Sequence, residues 1–267
     1  MRPAANPAPA VELAVQERVA LLTLSRPPVN AISRDWLSTF DRLLDELEQR
    51  DDWQVLHVRS TLKVFCAGAD LAEMRERFAA AQGIEDMVDT AAAIQRLLAR
   101  IEALPQVTFA EIGGAALGGG FELALACDLR MAAAEATLGL PEVRLGLVPG
   151  AGGTQRLTRL AGRATASRLI LSGEIVDGTT AGELGLVQWV VPVAELATRA
   201  ARKAQELAGL PASALAACKS CIAAAEDPGR DGFAAELAAS RRLYGEAPTR
   251  ERVRAFLARP AQPARAG

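Results

Sequence analysis

Apolar residues recur with two different spacings along this chain, and the spacing in each segment predicts whether that segment is a strand or a helix. Short apolar runs bounded by turn residues are typical of strands, whereas apolar residues three and four positions apart are typical of helices. The predicted strands are two within Val11 to Leu24 around the turn Gln16 to Arg18, then Trp53 to Ser60, Gln106 to Ile112 and Asp128 to Ala134. The predicted helices run from an N-cap at Ser33 to Gln49, from near Leu71, from Glu85 to Ala103, from Gly118 to Ala126 and from Gly153 to Ala161.

The order of these elements predicts an α/β fold, because strand, turn and helix repeat with the spacing of a parallel sheet. The tail from about Pro192 differs, since it is rich in alanine and is predicted to be helical only. Turn residues interrupt it at 209–211, 227–229 and 245–248. We therefore divide the chain into a flexible N-terminus (1–10), a core that holds the alternating elements (11–195) and a C-terminal helical region (196–267).

Composition narrows the class of protein. Half of the 267 residues are hydrophobic, which is enough for a sizeable core, and the formal net charge of −2 is spread without a basic stripe. We therefore expect no nucleic-acid partner. The first ten residues lack the apolar segment of a signal peptide, and no apolar run reaches the ~18 residues of a membrane helix. Four scattered cysteines do not resemble a disulfide framework, so we expect a soluble, cytoplasmic protein without a membrane partner.

Two glutamates carry the candidate chemistry. Glu122 lies in the segment Ala116 to Asp128, just after Gly118-Gly119-Gly120, and Glu142 lies in the segment Leu140 to Leu157. The N–H groups of a first helical turn have no intrahelical partner and lie at the positive end of the helix dipole. Such a site can bind developing negative charge and transfer a proton in the same pocket.

Four ordered motifs connect these segments to a known family. The motifs are VALLTLSRPPVNAIS, FCAGADLAEM, ALGGGFELALACD and PEVRLGLVPGAGGTQRLTRLAG, with a weaker match at ERVRAFLARP. With these motifs the chain resembles the crotonase (enoyl-CoA hydratase/isomerase) superfamily, and most of all the enoyl-CoA hydratases. The resemblance implies a crotonase-type spiral of repeated strand, strand and helix units. It also implies that the C-terminal helices build a homotrimer, usually paired into a homohexamer.

The resemblance also implies a role for each residue of the site. The backbone N–H groups of Ala69 and Gly119 would form an oxyanion hole for the enolate that develops on a thioester. Glu122 would mainly activate water, Glu142 would mainly protonate Cα, and the N–H of Gly150 would help to hold the water. Two carboxyls in an apolar cleft should share about one proton, which gives one acid and one base.

Contacts to the acyl-CoA substrate follow from the same resemblance, without a metal or redox cofactor, since coenzyme A is part of the substrate. Ala72 stands where related hydratases often have a lysine that holds the CoA phosphates, so those contacts would come from elsewhere. Arg259 replaces a lysine. The expected substrate contacts are Ala67, Gly68, Asp70, Leu71, Gly118, Phe256 and Arg259.

The expected activity is hydration of trans-2-enoyl-CoA to 3-hydroxyacyl-CoA, in fatty-acid or related acyl-CoA catabolism. Two other enzymatic readings stay open: Δ3-Δ2 enoyl-CoA isomerisation, and hydration of branched or aromatic-pathway enoyl-CoA. A non-catalytic protein that binds acyl-CoA or RNA is the alternative of another class. The presence of both glutamates favours hydration over isomerisation, which needs only one carboxylate.

Other residues have plainer interpretations. Asp70 is expected to cap a helix and organise its loop, and Asp128 to tie a helix end to the next strand. His57 lies inside a strand, where a packed or hydrogen-bonded role is expected, and Cys66 should be a small buried residue. The pair Cys218 and Cys221 suits one helical face, but no second pair or histidine cluster completes a metal site.

Overall fold

The computed structural model describes residues 10–258 and has a mixed α/β fold. Its contacts divide the chain into two compact units, one that extends to Gly209 and one that begins at Leu210. The boundary expected from the sequence, between residues 195 and 196, falls inside a helix of the first unit. The predicted flexible segment 1–10 lies, except for its last residue, outside the described residues.

The main sheet of the first unit has six strands. In their order across the sheet they are β1 (Val11–Gln16), β2 (Val19–Leu24), β3 (Val55–Ser60), β4 (Val107–Ile112), β6 (Leu129–Ala133) and β9 (Trp189–Val191). β1 and β2 form an antiparallel hairpin, and every later pair in this sheet is parallel. β3 and β4 are almost entirely buried, as expected for parallel strands that are covered on both faces.

A second sheet of three strands was not predicted. It consists of β5 (Ala116–Leu117), β7 (Thr137–Gly139) and β8 (Ile175–Asp177), in the order β5-β7-β8. Strands of two or three residues are too short to show a period of two in the sequence, which is why the pattern missed them and β9. The small sheet matters for the site, because β5 leads directly into Gly118 and the helix that begins at Gly119.

Helices cover the main sheet. The predicted N-cap of α1 is confirmed, since Oγ of Ser33 accepts from the N–H of Trp36 at 3.2 Å. The predicted helix end at Ala161 coincides with a kink, since the next residue, Gly162, has a non-helical φ of 77° and ψ of 163°; helical backbone then resumes and continues to Ser172. The helices of the first unit, with one 3₁₀ turn, are α1 (Arg34–Glu48), α2 (Leu71–Phe78), α3 (Gly83–Ala103), α4 (Gly119–Ala126), the 3₁₀ turn (Pro141–Leu145), α5 (Gly153–Ser172), α6 (Gly178–Glu183) and α7 (Val193–Ala208).

The second unit, as far as Ala258, is helical as predicted. It contains α8 (Ala212–Ala224), α9 (Gly232–Gly245) and α10 (Ala247–Leu257), and the breaks between them coincide with the predicted turns. Within residues 10–258 no single helix is long and apolar enough to cross a membrane. α7 and α8 taken as a bent pair pass that test by length and composition only.

Polar side chains tie the main sheet together away from the glutamates. The carboxylate of Asp128 accepts from the N–H and the hydroxyl of Thr108, at 2.7 and 3.0 Å, so it links the end of α4 to β4. The sequence predicts a contact of Asp128 with the strand that follows α4, whereas the structure shows a contact with the earlier strand β4. His57 is buried as expected, with its ring 5.1 Å from that of Phe109 and Nε2 2.9 Å from Oε2 of Glu111.

Candidate active site

The loop 66–70 lies between two other segments of chain and pairs with both through its backbone. Ala69 pairs with Ile32 on one side, and Cys66 pairs with Ala116 on the other. The N–H of Ile32 donates to the carbonyl of Gly68 at 2.8 Å. The loop therefore forms a short rung between the chain that precedes α1 and the chain that enters α4.

Two glycines allow this rung to approach the start of α4. Gly68 has a φ of +89°, and a β-carbon there would lie 2.9 Å from the carbonyl oxygen of Leu117 and 3.0 Å from the nitrogen of Gly119. A β-carbon on Gly119 would lie 3.8 Å from the nitrogen of Ala69. The two N–H groups predicted to form an oxyanion hole are thus brought together. Within residues 10–258 neither donates to a protein acceptor, so both are available to a ligand.

A buried asparagine that the sequence reading did not single out supports the same loop. Nδ2 of Asn30 donates to the carbonyl of Phe65 at 2.9 Å and to Oγ of Ser60 at 2.8 Å. The backbone carbonyl oxygen of Asn30 accepts from Sγ of Cys66 at 3.0 Å. Burial raises the pKa of that thiol to about 12. The prediction that Cys66 is a small buried residue is confirmed.

Asp70 ends the loop and begins α2. Its Oδ1 accepts from the N–H groups of Ala72 and Glu73, which confirms the predicted N-cap. Its Oδ2 forms an ion pair with Arg26 at 2.8 Å. Burial acts to raise the pKa of Asp70, but the hydrogen bonds from Arg26 and the helix N–H groups hold it below its usual value.

Glu122 lies in the first turn of α4, and its side chain points into the protein, with only 2% of the residue exposed. Oε1 accepts from the N–H of Ala151 at 2.8 Å and from the N–H of Gly153 at 2.7 Å. Burial raises the pKa of Glu122 to about 7; the charge of Glu142 adds to the rise, while the two N–H donors and Arg156 oppose it.

Glu142 approaches the same glycine turn from the other side. It follows Pro141 in the 3₁₀ turn, and a β-carbon on Gly118 would lie 2.8 Å from its Oε1. Its Oε2 is buried and has no hydrogen-bond partner among residues 10–258. Burial raises the pKa of Glu142, and a hydrogen bond with its own backbone only partly opposes the rise. An unpaired buried carboxyl oxygen is costly, and such groups are concentrated at functional sites.

The Glu122 carboxylate is held by N–H groups that the sequence did not identify. The carbonyl oxygen of Gly150, whose N–H was expected to help hold the water, accepts from Nε2 of Gln95 at 2.6 Å. The N–H groups that hold the carboxylate come from Ala151 and Gly153. The signal for them was present, since Gly153 begins α5 and first-turn N–H groups are free to bind an anion. The predicted role of Gly150 in holding water stays a prediction.

The residues of this site lie within a part of the chain that matches a known protein family. The enoyl-CoA hydratase/isomerase family model matches residues 14–262. The chain belongs to this family. Bacillus subtilis YngF, named with the enoyl-CoA hydratase/isomerases, is 44% identical over 194 residues, covering 72% of this chain and 71% of YngF. The enoyl-CoA isomerase/hydratase fer4 of Mycosarcoma maydis is 41% identical over 211 residues, covering 75% of each chain.

Solved structures of family members share the fold. An enoyl-CoA hydratase from Geobacillus kaustophilus superposes with a TM-score of 0.87 at 32% identity, covering 94% of this chain and 95% of the other. An enoyl-CoA hydratase from Bacillus anthracis gives a TM-score of 0.86 at 33% identity, covering 92% and 95%. These similarities confirm the predicted crotonase-type α/β fold.

The other predicted contact residues of this enoyl-CoA hydratase/isomerase family member divide into three groups. Ala67 lies within the rung, and Leu71, which is exposed, is the first residue of α2. Phe256 lies on α10 in the second unit, where 72% of it is exposed. Arg259 lies outside the described residues. Their contacts with substrate stay predictions.

Proposed function

We propose that this protein is an enoyl-CoA hydratase that adds water across the 2,3 double bond of a trans-2-enoyl-CoA to give 3-hydroxyacyl-CoA. The observation that supports it is the convergence of a buried carboxyl, Glu122, and a half-buried one, Glu142, on one glycine turn beside two free backbone N–H groups, with the pKa of both carboxyls raised. The second carboxyl is the feature that favours hydration over isomerisation, because isomerisation moves one proton and needs one carboxylate.

In the proposed reaction, the thioester oxygen binds to the N–H groups of Ala69 and Gly119. The Glu122 carboxylate takes a proton from water as its oxygen attacks Cβ, and the double-bond electrons move onto the thioester as an enolate. The Glu142 carboxyl then gives its proton to Cα on the same face. Transfer of the proton from Glu122 to Glu142 restores the starting state. Fixed donors at a developing oxyanion are typically worth about 3–4 kcal/mol each.

The test compares hydration with its rivals in one assay series. Purified protein should consume crotonyl-CoA, seen as loss of the enoyl-thioester absorbance, and Glu142→Gln should reduce turnover by about two to four decades while the variant still binds acyl-CoA. Turnover of a trans-3-enoyl-CoA that survives in Glu142→Gln would instead support the isomerase. Binding without any turnover in the unmodified protein would support a non-catalytic role.

The expected assembly is part of the same proposal. Large apolar side chains are exposed on α9 and α10, including Phe233, Leu237, Tyr244, Phe256 and Leu257. Such surfaces are usually covered by another chain. We expect a homotrimer or a homohexamer in light-scattering measurements. We also expect activity that survives EDTA, since no step requires a metal or a redox cofactor.

A further inference from the structure

Helix α3 reaches the loop that holds the Glu122 carboxylate. Nε2 of Gln95 donates to the carbonyl oxygen of Gly150 at 2.6 Å. That carbonyl belongs to the same peptide group as the N–H of Ala151, which donates to Oε1 of Glu122 at 2.8 Å. Hydrogen bonds linked through a peptide group polarise one another, so a donor on the carbonyl side makes the N–H a better donor.

A second attachment lies near the C-terminal end of α3. Glu102 binds Arg156 through two hydrogen bonds of 2.8 and 2.7 Å, and Nη1 of Arg156 donates to the carbonyl of Ala151 at 2.7 Å. The Arg156 side chain is only 10% exposed, and it lies so close to Gly152 that a β-carbon there would clash with it. Planar, two-pronged arginine–carboxylate pairs fix orientation as well as charge.

We propose that Gln95 and the Glu102–Arg156 pair are positioning residues, which fix the loop 150–153 from α3 and keep its N–H groups directed at the Glu122 carboxylate. This rests on the proposed function, since it assigns Glu122 the task of a base. A fixed pair of N–H donors favours the ionised carboxylate, which is the form that accepts a proton from water.

The charges around Glu122 set the direction of the effect. Glu142 on the 3₁₀ turn raises the pKa of Glu122, and Arg156 on α5 lowers it. On α3, the charge of Glu102 is matched by Arg156. Asp128, beyond the end of α4, is hydrogen-bonded to β4. Loss of the Gln95 bond or of the Glu102–Arg156 pair should therefore weaken the stabilisation of the Glu122 carboxylate. The pKa of Glu122 should then rise, so that it ionises at higher pH.

The test uses Gln95→Ala and Arg156→Met, with Arg156→Lys as the conservative variant and Gln205→Ala as a matched control on α7, where the glutamine is exposed. At pH 7 we expect kcat to fall about 3- to 10-fold for Gln95→Ala and more for Arg156→Met, with KM within about twofold. The acidic limb of the kcat/KM profile should move to higher pH, so the loss should shrink above about pH 8.5. Arg156→Lys should recover part of the loss, and Gln205→Ala should match the unmodified protein.

A second readout does not depend on turnover. The infrared carboxyl band that disappears in Glu122→Gln reports the pH at which Glu122 ionises, and it should shift upward in Gln95→Ala and Arg156→Met. If the unmodified protein fails to hydrate enoyl-CoA but this shift occurs, the proposed function fails and the positioning role stands. If the band and the pH profile are unchanged in folded variants, or if the loss is equal at every pH, the positioning role is wrong.

Discussion

Replacement of Glu122 by glutamine should destroy activity and at the same time stabilise the fold. The glutamine carbonyl can still accept from the N–H groups of Ala151 and Gly153, so the loop should keep its place. What disappears is the ability to take a proton from water. General base catalysis is typically worth a factor of about 10² to 10⁴, which corresponds to about 3–5 kcal/mol of barrier.

The gain in stability follows from the same burial. The pKa of Glu122 rises from 4.5 to about 7 on folding, so the folded protein holds this proton where the unfolded chain has lost it. The unmodified protein therefore loses stability as the pH rises from about 4.5 to 7, and the loss levels off above that range. At about 1.4 kcal/mol per pKa unit the full effect is about 3 kcal/mol, or about 5–10 °C in Tm for a chain of this size. Glu122→Gln has no charge to bury at this position, so it should not lose this stability as the pH rises.

Thermal unfolding at pH 4.5, 6 and 8 tests the reasoning, with crotonyl-CoA turnover measured on the same preparations. The exposed Glu12→Gln in β1 is the matched control and should follow the unmodified protein in both assays. We expect the Tm of Glu122→Gln to exceed that of the unmodified protein by an amount that grows from pH 4.5 to 8. An inactive variant whose Tm difference is constant or negative across this range would refute the assignment of a strained, buried carboxylate.

Three further predictions concern the frame of the site. Gly118→Ala should cut turnover by at least tenfold, since its β-carbon would meet the Glu142 carboxylate at 2.8 Å; a variant with normal kcat would show that this contact relaxes freely. Asp70→Ala should lower the free energy of unfolding by about 1–2 kcal/mol at pH 7, because α2 loses its N-cap and Arg26 loses its partner. The loss should shrink as the pH falls below the usual aspartate pKa of 3.8, because the unfolded chain then binds a proton that the folded protein takes up only at still lower pH; a loss in urea titrations that does not shrink in this acid range would contradict this. In native protein Cys66 should resist alkylation at pH 8 while the exposed thiol of α8 reacts, as mass spectrometry would show; rapid labelling of Cys66 would contradict its burial.

The sequence was sufficient for the features that are local in the chain. Ser33 and Asp70 were recognised as caps because a cap bonds to N–H groups two or three residues away. Glu122 and Glu142 were recognised because each sits in its own glycine-bounded motif. The family resemblance then supplied what local patterns could not, namely that these two segments meet.

The features that were missed depend on distant pairing. Gln95 bonds to a residue 55 positions away, and an amide on an amphipathic helix gives no sign of whether it faces solvent or a loop. Asn30 likewise supports a loop 35 residues further on. The donors to Glu122, Ala151 and Gly153, were not identified, because only the folded loop decides which of several consecutive N–H groups reaches a carboxylate.

The rung formed by loop 66–70 has a consequence for how this scaffold can diversify. It is held by main-chain pairing to Ile32 and Ala116, and the two N–H groups that it brings together are themselves main chain. Side-chain replacements at positions such as Ala67 or Ala69 leave those donors in place, provided that the glycines are kept. In the proposed mechanism, the donors that bind an enolate are thus insulated from side-chain replacement, whereas the carboxyls of Glu122 and Glu142, which would decide the reaction, are themselves side chains. On this scaffold, a new reaction of an acyl thioester would require a change only in the position of the carboxyl side chains.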